Sequence, residues 1–471
     1  MARHRQETLR RLPAVDRVLG RPAVKDLAAE LGRAAVLQAV RELLAERRRR
    51  LQAGWQPRPQ ELDLADDEIR HAAERWRRPP LEQVINATGI VVHTNLGRSP
   101  LGGQVLERVG EIAGGYSNLE FDLESGERGQ RMQAVRQLLL ELSAAEEALV
   151  VNNNAAAVYL ALRVLAAGGE VVVSRGELVE IGGSFRIPDV MAASGAHLVE
   201  VGTTNRTRID DYRRAMGPQT ALLLKVHRSN FEMVGFVQEP GIEELAELAQ
   251  RSQLPLLVDM GWATFLPDPP LWLGPQHRPD WLLSRGVDVV CFSGDKILGG
   301  PQCGIILGRA DLVGAMARDP MARALRVGKL TLAGLWATLD AYRQGLARQL
   351  PVADMLLAGP EELKRRARRL ARLLRARQAD LPLEVVASAG KVGGGALPLL
   401  DLPGWAVAVH APGQLADRLA ETLRRGRPPV VARVHDDSVW LDVRTLSAGD
   451  FPTLVTALAR AWNTCRREEA R

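Results

Sequence analysis

The sequence predicts an α/β protein: a mostly parallel sheet covered by helices, a helical domain before it, and a smaller C-terminal α/β domain after it. Three observations predict this. Between about residues 81 and 340, short runs rich in Val and Leu alternate with longer helical patterns. Residues 1–78 show helical spacing only, and from about 341 a long basic helix precedes further strands and helices. The domains are drawn at 1–78, 79–340 and 341–471, a division that suits a chain of 471 residues.

In the N-terminal domain, Leu27, Leu31, Val36 and Val40 recur at roughly helical spacing, and Arg47–Arg50 form a basic run. The Gly and Pro content of Gly54–Pro59 marks a linker before a second amphipathic helix, Leu62–Trp76, and Pro79-Pro80 ends the region. The chain carries a net charge of +6, and residues 1–78 hold 18 basic against 12 acidic residues. That excess points to a polyanion partner, with a solvated helical surface as the alternative.

The strands expected next are Glu147–Val151, Glu170–Val173, His197–Val201, Ala221–Val226, Leu254–Val258, Val287–Ser293 and Gly304–Leu307. Helices such as Ala155–Leu165 and Ile242–Ser252 lie between them, the order of a parallel sheet whose ligands bind at the strand C-termini. Beyond residue 341 the pattern gives a helix over Glu361–Gln378 and strands near Leu383–Val386, Leu397–Leu400, Pro429–Val434 and Ser438–Asp442. Helices follow at Gln414–Arg425 and Asp450–Thr464.

Composition excludes several classes. No apolar run reaches the ~18–20 residues of a membrane span, and the charged start Met1–Arg5 has no signal-peptide core after it. Cys291, Cys303 and Cys465 make no disulfide framework and no CxxC pair, so a cytoplasmic protein without structural metal is expected. No GxGxxG or P-loop follows a strand.

The chain uses arginine heavily and has only six lysines. A lysine is therefore informative, because only an amine can lose its proton and attack a carbonyl. Lys296 alone sits at a strand end, in Ser293-Gly294-Asp295-Lys296-Ile297-Leu298-Gly299-Gly300; a solvated loop lysine is the alternative. Leu256-Leu257-Val258-Asp259 is an apolar strand ending in a carboxylate 37 residues earlier, which a parallel sheet brings to the same edge. Pyridoxal phosphate needs this pair, an amine for its aldehyde and a carboxylate for its ring nitrogen. A helix N-cap is the other reading of Asp259. Asn152-Asn153-Asn154-Ala155-Ala156 opens a helix after a strand, an anion site for the phosphate or a plain turn, and Ser293 can add a hydroxyl.

These residues resemble fold type I pyridoxal-phosphate enzymes. Longer blocks go further: Ile85–Gly89, His93–Arg98, Val151–Ala157, Ser174–Gly183, Val201–Thr207 and Ser293–Gln302 are similar to bacterial selenocysteine synthases, the L-seryl-tRNA(Sec) selenium transferases. The likeness extends from Arg11–Asp16 to Leu441–Arg444. It implies conversion of seryl-tRNA(Sec) to selenocysteinyl-tRNA(Sec) through a cofactor-bound aminoacrylyl intermediate, with selenophosphate as donor. It implies Lys296 as the cofactor lysine, Asp295 as its aide in proton transfer or in orienting it, and Asp259 on the ring nitrogen. Arg98 and Arg323 fall where the family binds selenophosphate, with Arg326 a close competitor for Arg323. His227, Arg175 and Glu177, each after a strand, are expected near the cofactor. The resemblance also implies an N-terminal domain that reads the tRNA and a homo-oligomer, a ring of dimers up to a homodecamer.

Two departures stand out. Asp259 is followed by Met260-Gly261-Trp262-Ala263-Thr264-Phe265, bulky where the family has small residues, and Arg228 replaces a small polar one. An enzyme acting on a free amino acid or amino sugar, and a tRNA-binding protein without catalysis, are the rival readings; the N-terminal domain opposes the first and Lys296 with Asp259 the second.

Overall fold

A computed structural model describes residues 8–77, 81–182 and 185–469. The start Met1–Arg5 and the Pro79-Pro80 stop lie outside the described residues. The chain divides into two compact units, Met1–Gln83 and Val84–Arg471.

In the first unit, α1 (Val15–Leu19), α2 (Pro22–Leu31), α3 (Arg33–Gln52) and α4 (Asp66–Trp76) close around Val18, Leu27, Val36, Val40, Leu44 and Ile69. Gly32, at φ +90°, separates α2 from α3. The expected Leu62–Trp76 helix begins later. Pro59–Leu62 forms a 3-10 turn and Ala65 is extended, so α4 starts at Asp66 with Asp66, Asp67 and Glu68 against its positive end. Much of the basic charge here is paired internally: Arg47 with Glu68 at 2.7 Å, Arg70 with Glu30 at 2.7 Å, and Arg21 with Asp63.

Among its described residues the second unit holds two large sheets, besides a two-stranded one of Glu180–Ile181 and Phe185–Arg186. In chain order the strands are β1 (Ile85–Ala87), β2 (Ile90–Val92), β3 (Glu147–Val151), β4 (Glu170–Ser174), β5 (His197–Val201), β6 (Thr220–Val226) and β7 (Leu256–Trp262). There follow β8 (Val289–Ser293), β9 (Gly304–Gly308), β10 (Leu383–Gly393), β11 (Asp401–His410), β12 (Val430–His435) and β13 (Ser438–Asp442). The larger sheet runs β3-β9-β8-β7-β6-β4-β5; its pairs are parallel except those of β9, which is antiparallel to both neighbours. Strands β7, β8 and β9 are buried along their whole length, which is why they read as unbroken apolar runs.

The smaller sheet runs β1-β12-β13-β11-β10-β2. Strands β1 and β2, expected with the large domain, pair here, Ile85 with Val430 and Lys391 with Ile90. Leu397–Leu400 is not a strand: the chain turns there, with Leu397 at φ +42°, after β10 has continued to Gly393. The helices that matter below are α5 (Asn154–Ala166), α6 (Ile242–Arg251), α7 (Pro320–Ala324), α8 (Pro351–Leu357), α9 (Pro360–Arg377), α10 (Gln414–Arg424) and α11 (Phe451–Glu469). No described helix is long and apolar enough to cross a membrane.

Candidate active site at the Lys296 cavity

Strands β7 and β8 are parallel neighbours, and their C-terminal ends bring Asp259 and Lys296 to one edge. The register slips between Cys291 and Phe292, where Cys291 faces Asp259 but Phe292 faces Gly261. Strand β7 runs on to Trp262, so Asp259 lies within the strand beside this irregularity and caps no helix. A cavity of about 240 Å³ opens at this edge, lined by Lys296, Asp259, Asn154, Ser293, His227 and Arg98 among others.

Asp259 is buried. Its Oδ1 accepts from Asn154 Nδ2 at 2.8 Å and from the Gly261 amide at 3.0 Å. Burial raises its pKa above the usual carboxylate value, while Asn154, Gly261 and Lys296 pull it down. Both bonds fall on Oδ1, so Oδ2 is left for a donor in the cavity. Asn154 opens α5, and Asn153 caps that helix by accepting from the Ala156 amide at 2.8 Å. Ala155 faces the cavity; Ala156 does not line it.

Lys296 is buried as well. Desolvation lowers its pKa, Asp259 and Asp295 raise it, Arg98 lowers it, and the net shift is downward. A lower pKa puts more of the amine in its nucleophilic neutral form. Ser99 Oγ lies 2.8 Å from the Asp295 carbonyl and 2.7 Å from that of Lys296, which ties down the turn. Arg98 forms a 2.8 Å ion pair with Asp295.

His227 follows β6, and its amide donates to the Asp259 carbonyl at 2.9 Å. Its Nε2 is buried without a partner among the described residues, as are Ser229 Oγ and Asn154 Oδ1. Burial first, then Lys225 and Arg228, lower His227 to a pKa of about 4, so the ring is neutral. Trp262 and Phe265 turn into the core. Trp262 stacks on His277 with centroids 3.9 Å apart, and both rings meet His227 edge-on. The bulk after Asp259 thus backs His227 from behind and does not line the cavity.

Two expected residues lie elsewhere. Arg175 is half exposed and binds Glu200 at 2.8 Å and the Gly202 carbonyl at 3.1 Å. Arg323 is exposed on α7, and neither lines the cavity. Arg326 lies 3.6 Å from Glu120. Glu177 is buried beneath β6, where Lys225 Nζ reaches it at 3.0 Å. The sequence reading missed Ser229 and Gly395. A Cβ on Gly395 (φ +79°) would sit 3.2 Å from Lys296 Nζ and 3.8 Å from Ser229 Oγ. The run Gly393-Gly394-Gly395 was the available signal, a stretch where backbone must pass close to something.

These residues fit pyridoxal phosphate. A buried amine faces a carboxylate with a spare oxygen, a helix N-terminus offers amides for a phosphate, and three buried polar atoms lack partners.

Comparison with known proteins agrees. The model of the L-seryl-tRNA selenium transferase family matches residues 84–447, and that of the selenocysteine synthase N-terminal region matches residues 9–48. The L-seryl-tRNA(Sec) selenium transferase of Moorella thermoacetica is 49% identical over 461 residues, covering 96% of this chain and 97% of its own. That of Geobacter metallireducens is 48% identical over 453 residues, covering 95% and 98%. A solved D-glucosaminate-6-phosphate ammonia-lyase superposes with TM-score 0.58 at 22% identity, over 82% of this chain and 97% of that one, which establishes the shared fold. With a family match over most of its length and near-half identity to relatives end to end, the chain belongs to the L-seryl-tRNA selenium transferase family.

Proposed function

We propose that this chain converts seryl-tRNA(Sec) to selenocysteinyl-tRNA(Sec) at the Lys296 cavity, with selenophosphate as the selenium donor. The observation that carries this reading is the buried pair of Asp259, within β7, and Lys296, three residues past the end of its parallel neighbour β8. Pyridoxal phosphate, when bound, supplies the electron sink that loosens the seryl Cα proton and β-hydroxyl.

The chain's own residues do the rest. Lys296 Nζ attaches the cofactor and, once free, takes and returns protons. Asp259 Oδ2 holds the ring-nitrogen proton, and Asn154 fixes the carboxylate through Oδ1. Ser293 and the first amides of α5 bind the phosphate. His227, neutral and edge-packed by Trp262 and His277, supports the ring. Asp295 orients the lysine turn, and Arg98 offers selenophosphate a guanidinium at the cavity mouth.

The first unit supplies tRNA recognition in this reading. A homo-oligomer is supported by exposed apolar side chains on the second unit, Tyr116, Leu123, Val234, Phe236 and Leu271. Arg323, outside its own chain's cavity, would then serve a neighbouring subunit. Three buried free cysteines suit the cytoplasm.

The test is a conversion assay with cofactor-loaded protein, labelled seryl-tRNA(Sec) and selenophosphate, followed by release and identification of the amino acid. Selenocysteine is the expected product, and Lys296→Ala should lose both it and the yellow absorbance. Unchanged serine from a yellow, folded protein would overturn the substrate reading.

A further inference from the structure

Helix α9 carries eight basic and two acidic residues in 18, a net +6, as much as the first 78 residues together. At 3.6 residues per turn, Arg365, Arg368, Arg372 and Arg375 fall within one arc of roughly 80° and span about 15 Å. The opposite side, Leu363, Ala367, Leu370, Ala371 and Leu374, is buried in the core of the smaller sheet. All four arginines are exposed.

Their pairing sets this stripe apart. Arg366, on the flank, reaches Asp354 at 3.1 Å, and Arg375 donates to the Leu383 carbonyl at 3.1 Å. Arg365, Arg368 and Arg372 have no carboxylate within ion-pair distance among the described residues, unlike Arg47 and Arg70 of the first unit. Like charges three and four residues apart on a helix repel, each pair costing about 0.2–0.5 kcal/mol. The stripe is thus an uncompensated cationic face that an extended anion would relieve. With its apolar side buried, α9 has no face for lipid.

The stripe also has a physical link to the cavity. Asp354, the partner of Arg366, lies on α8. Val352, also on α8, would lie 3.4 Å from a Cβ on Gly299, three residues past Lys296. Helix α8 therefore backs the lysine turn and meets α9 on its other side. A tRNA whose aminoacyl end enters the cavity carries a dense row of phosphates away from it.

We propose that the Arg365–Arg368–Arg372 face of α9 is a phosphate-binding surface for the body of seryl-tRNA(Sec), additional to the N-terminal unit. This rests on the substrate reading above. Phosphate contacts of this kind position the nucleic acid without reading bases, and they release counterions.

The experiment uses full-length, cofactor-loaded protein and two triple variants, Arg365→Gln/Arg368→Gln/Arg372→Gln and the corresponding Glu set. Affinity for seryl-tRNA(Sec) is measured across roughly 50–200 mM salt, with the yellow absorbance as the control for fold. Three lost contacts should flatten the slope of log K against log salt by about two to three, so wild type's advantage shrinks more than ~tenfold across that range. The Glu set should bind more weakly than the Gln set. Wild type that binds while both variants match it, with parallel salt curves, would overturn the surface alone. Wild type that does not bind would overturn the substrate reading and the surface with it. Loss of anionic-vesicle binding in the variants, with tRNA affinity unchanged, would also overturn it.

Discussion

Gly395 passes so close over Lys296 that a Cβ there would lie 3.2 Å from the amine nitrogen. The two residues come from different sheets, Lys296 after β8 and Gly395 after β10. Gly395→Ala meets this contact and a φ of +79° together. Cofactor capture, followed by the rise of yellow absorbance on titration, should weaken at least ~tenfold, about 1.4 kcal/mol. An unchanged titration would mean that the loop yields at no cost.

Asp259→Asn should keep the fold, because Asn154 and the Gly261 amide can still bond to the amide oxygen. It removes the charge that holds a proton on the ring nitrogen. Turnover should fall at least ~10²-fold while the borohydride-fixable absorbance persists. Turnover near wild type would argue that ring-nitrogen protonation is set elsewhere.

Arg98→Ala leaves Asp295, which is 6% exposed, without its ion-pair partner. The double variant Arg98→Ala/Asp295→Asn relieves that buried charge. If Arg98 binds selenophosphate, the double variant should regain folding stability but not selenium transfer, and the KM for selenophosphate should rise. Recovery of transfer in the double variant would make Arg98 only the counterion of Asp295.

Burial chiefly lowers His227 to about 4 and His277 to about 3, both below the ordinary 6.5. The unfolded chain binds more protons than the folded one between those values, so folding stability is lost as pH falls from ~6.5 toward 4. At about 1.4 kcal/mol per unit the windows correspond to about 3 kcal/mol for His227 and about 5 kcal/mol for His277. His277→Phe keeps a ring against Trp262 and removes one titration. Its stability, from denaturant melts at pH 7 and pH 4.5, should fall less on acidification than that of wild type. An equal fall would place the acid sensitivity elsewhere.

Much of this site was legible in the sequence. The apolar runs of β7 and β8 marked the buried strands, and their polar ends marked Asp259 and Lys296 because chemistry in a parallel sheet gathers at that edge. The family blocks identified Arg98. What the sequence hid was long-range or two-sided. Arg175 sits after a strand as a ligand would, yet Glu200 across the β4–β5 pair claims its guanidinium. Gly395 carries no side chain and matters only through its closeness to Lys296, and Ser229 is one serine among many until the fold buries its hydroxyl in the cavity. The basic character of α9 was legible as a helix over Glu361–Gln378, but a charge count set against residues 1–78 left the rest of the chain near neutral and drew no partner from it.

The smaller sheet joins strands from opposite ends of its unit, since Ile85 of β1 pairs with Val430 of β12, 345 residues downstream. On a ribosome, that pairing waits until nearly the whole chain has emerged. Gly395 covers Lys296 only once β10 has docked beside β2. A nascent chain therefore completes its amine-bearing chamber among its final folding steps, and until then Gly395 does not cover Lys296.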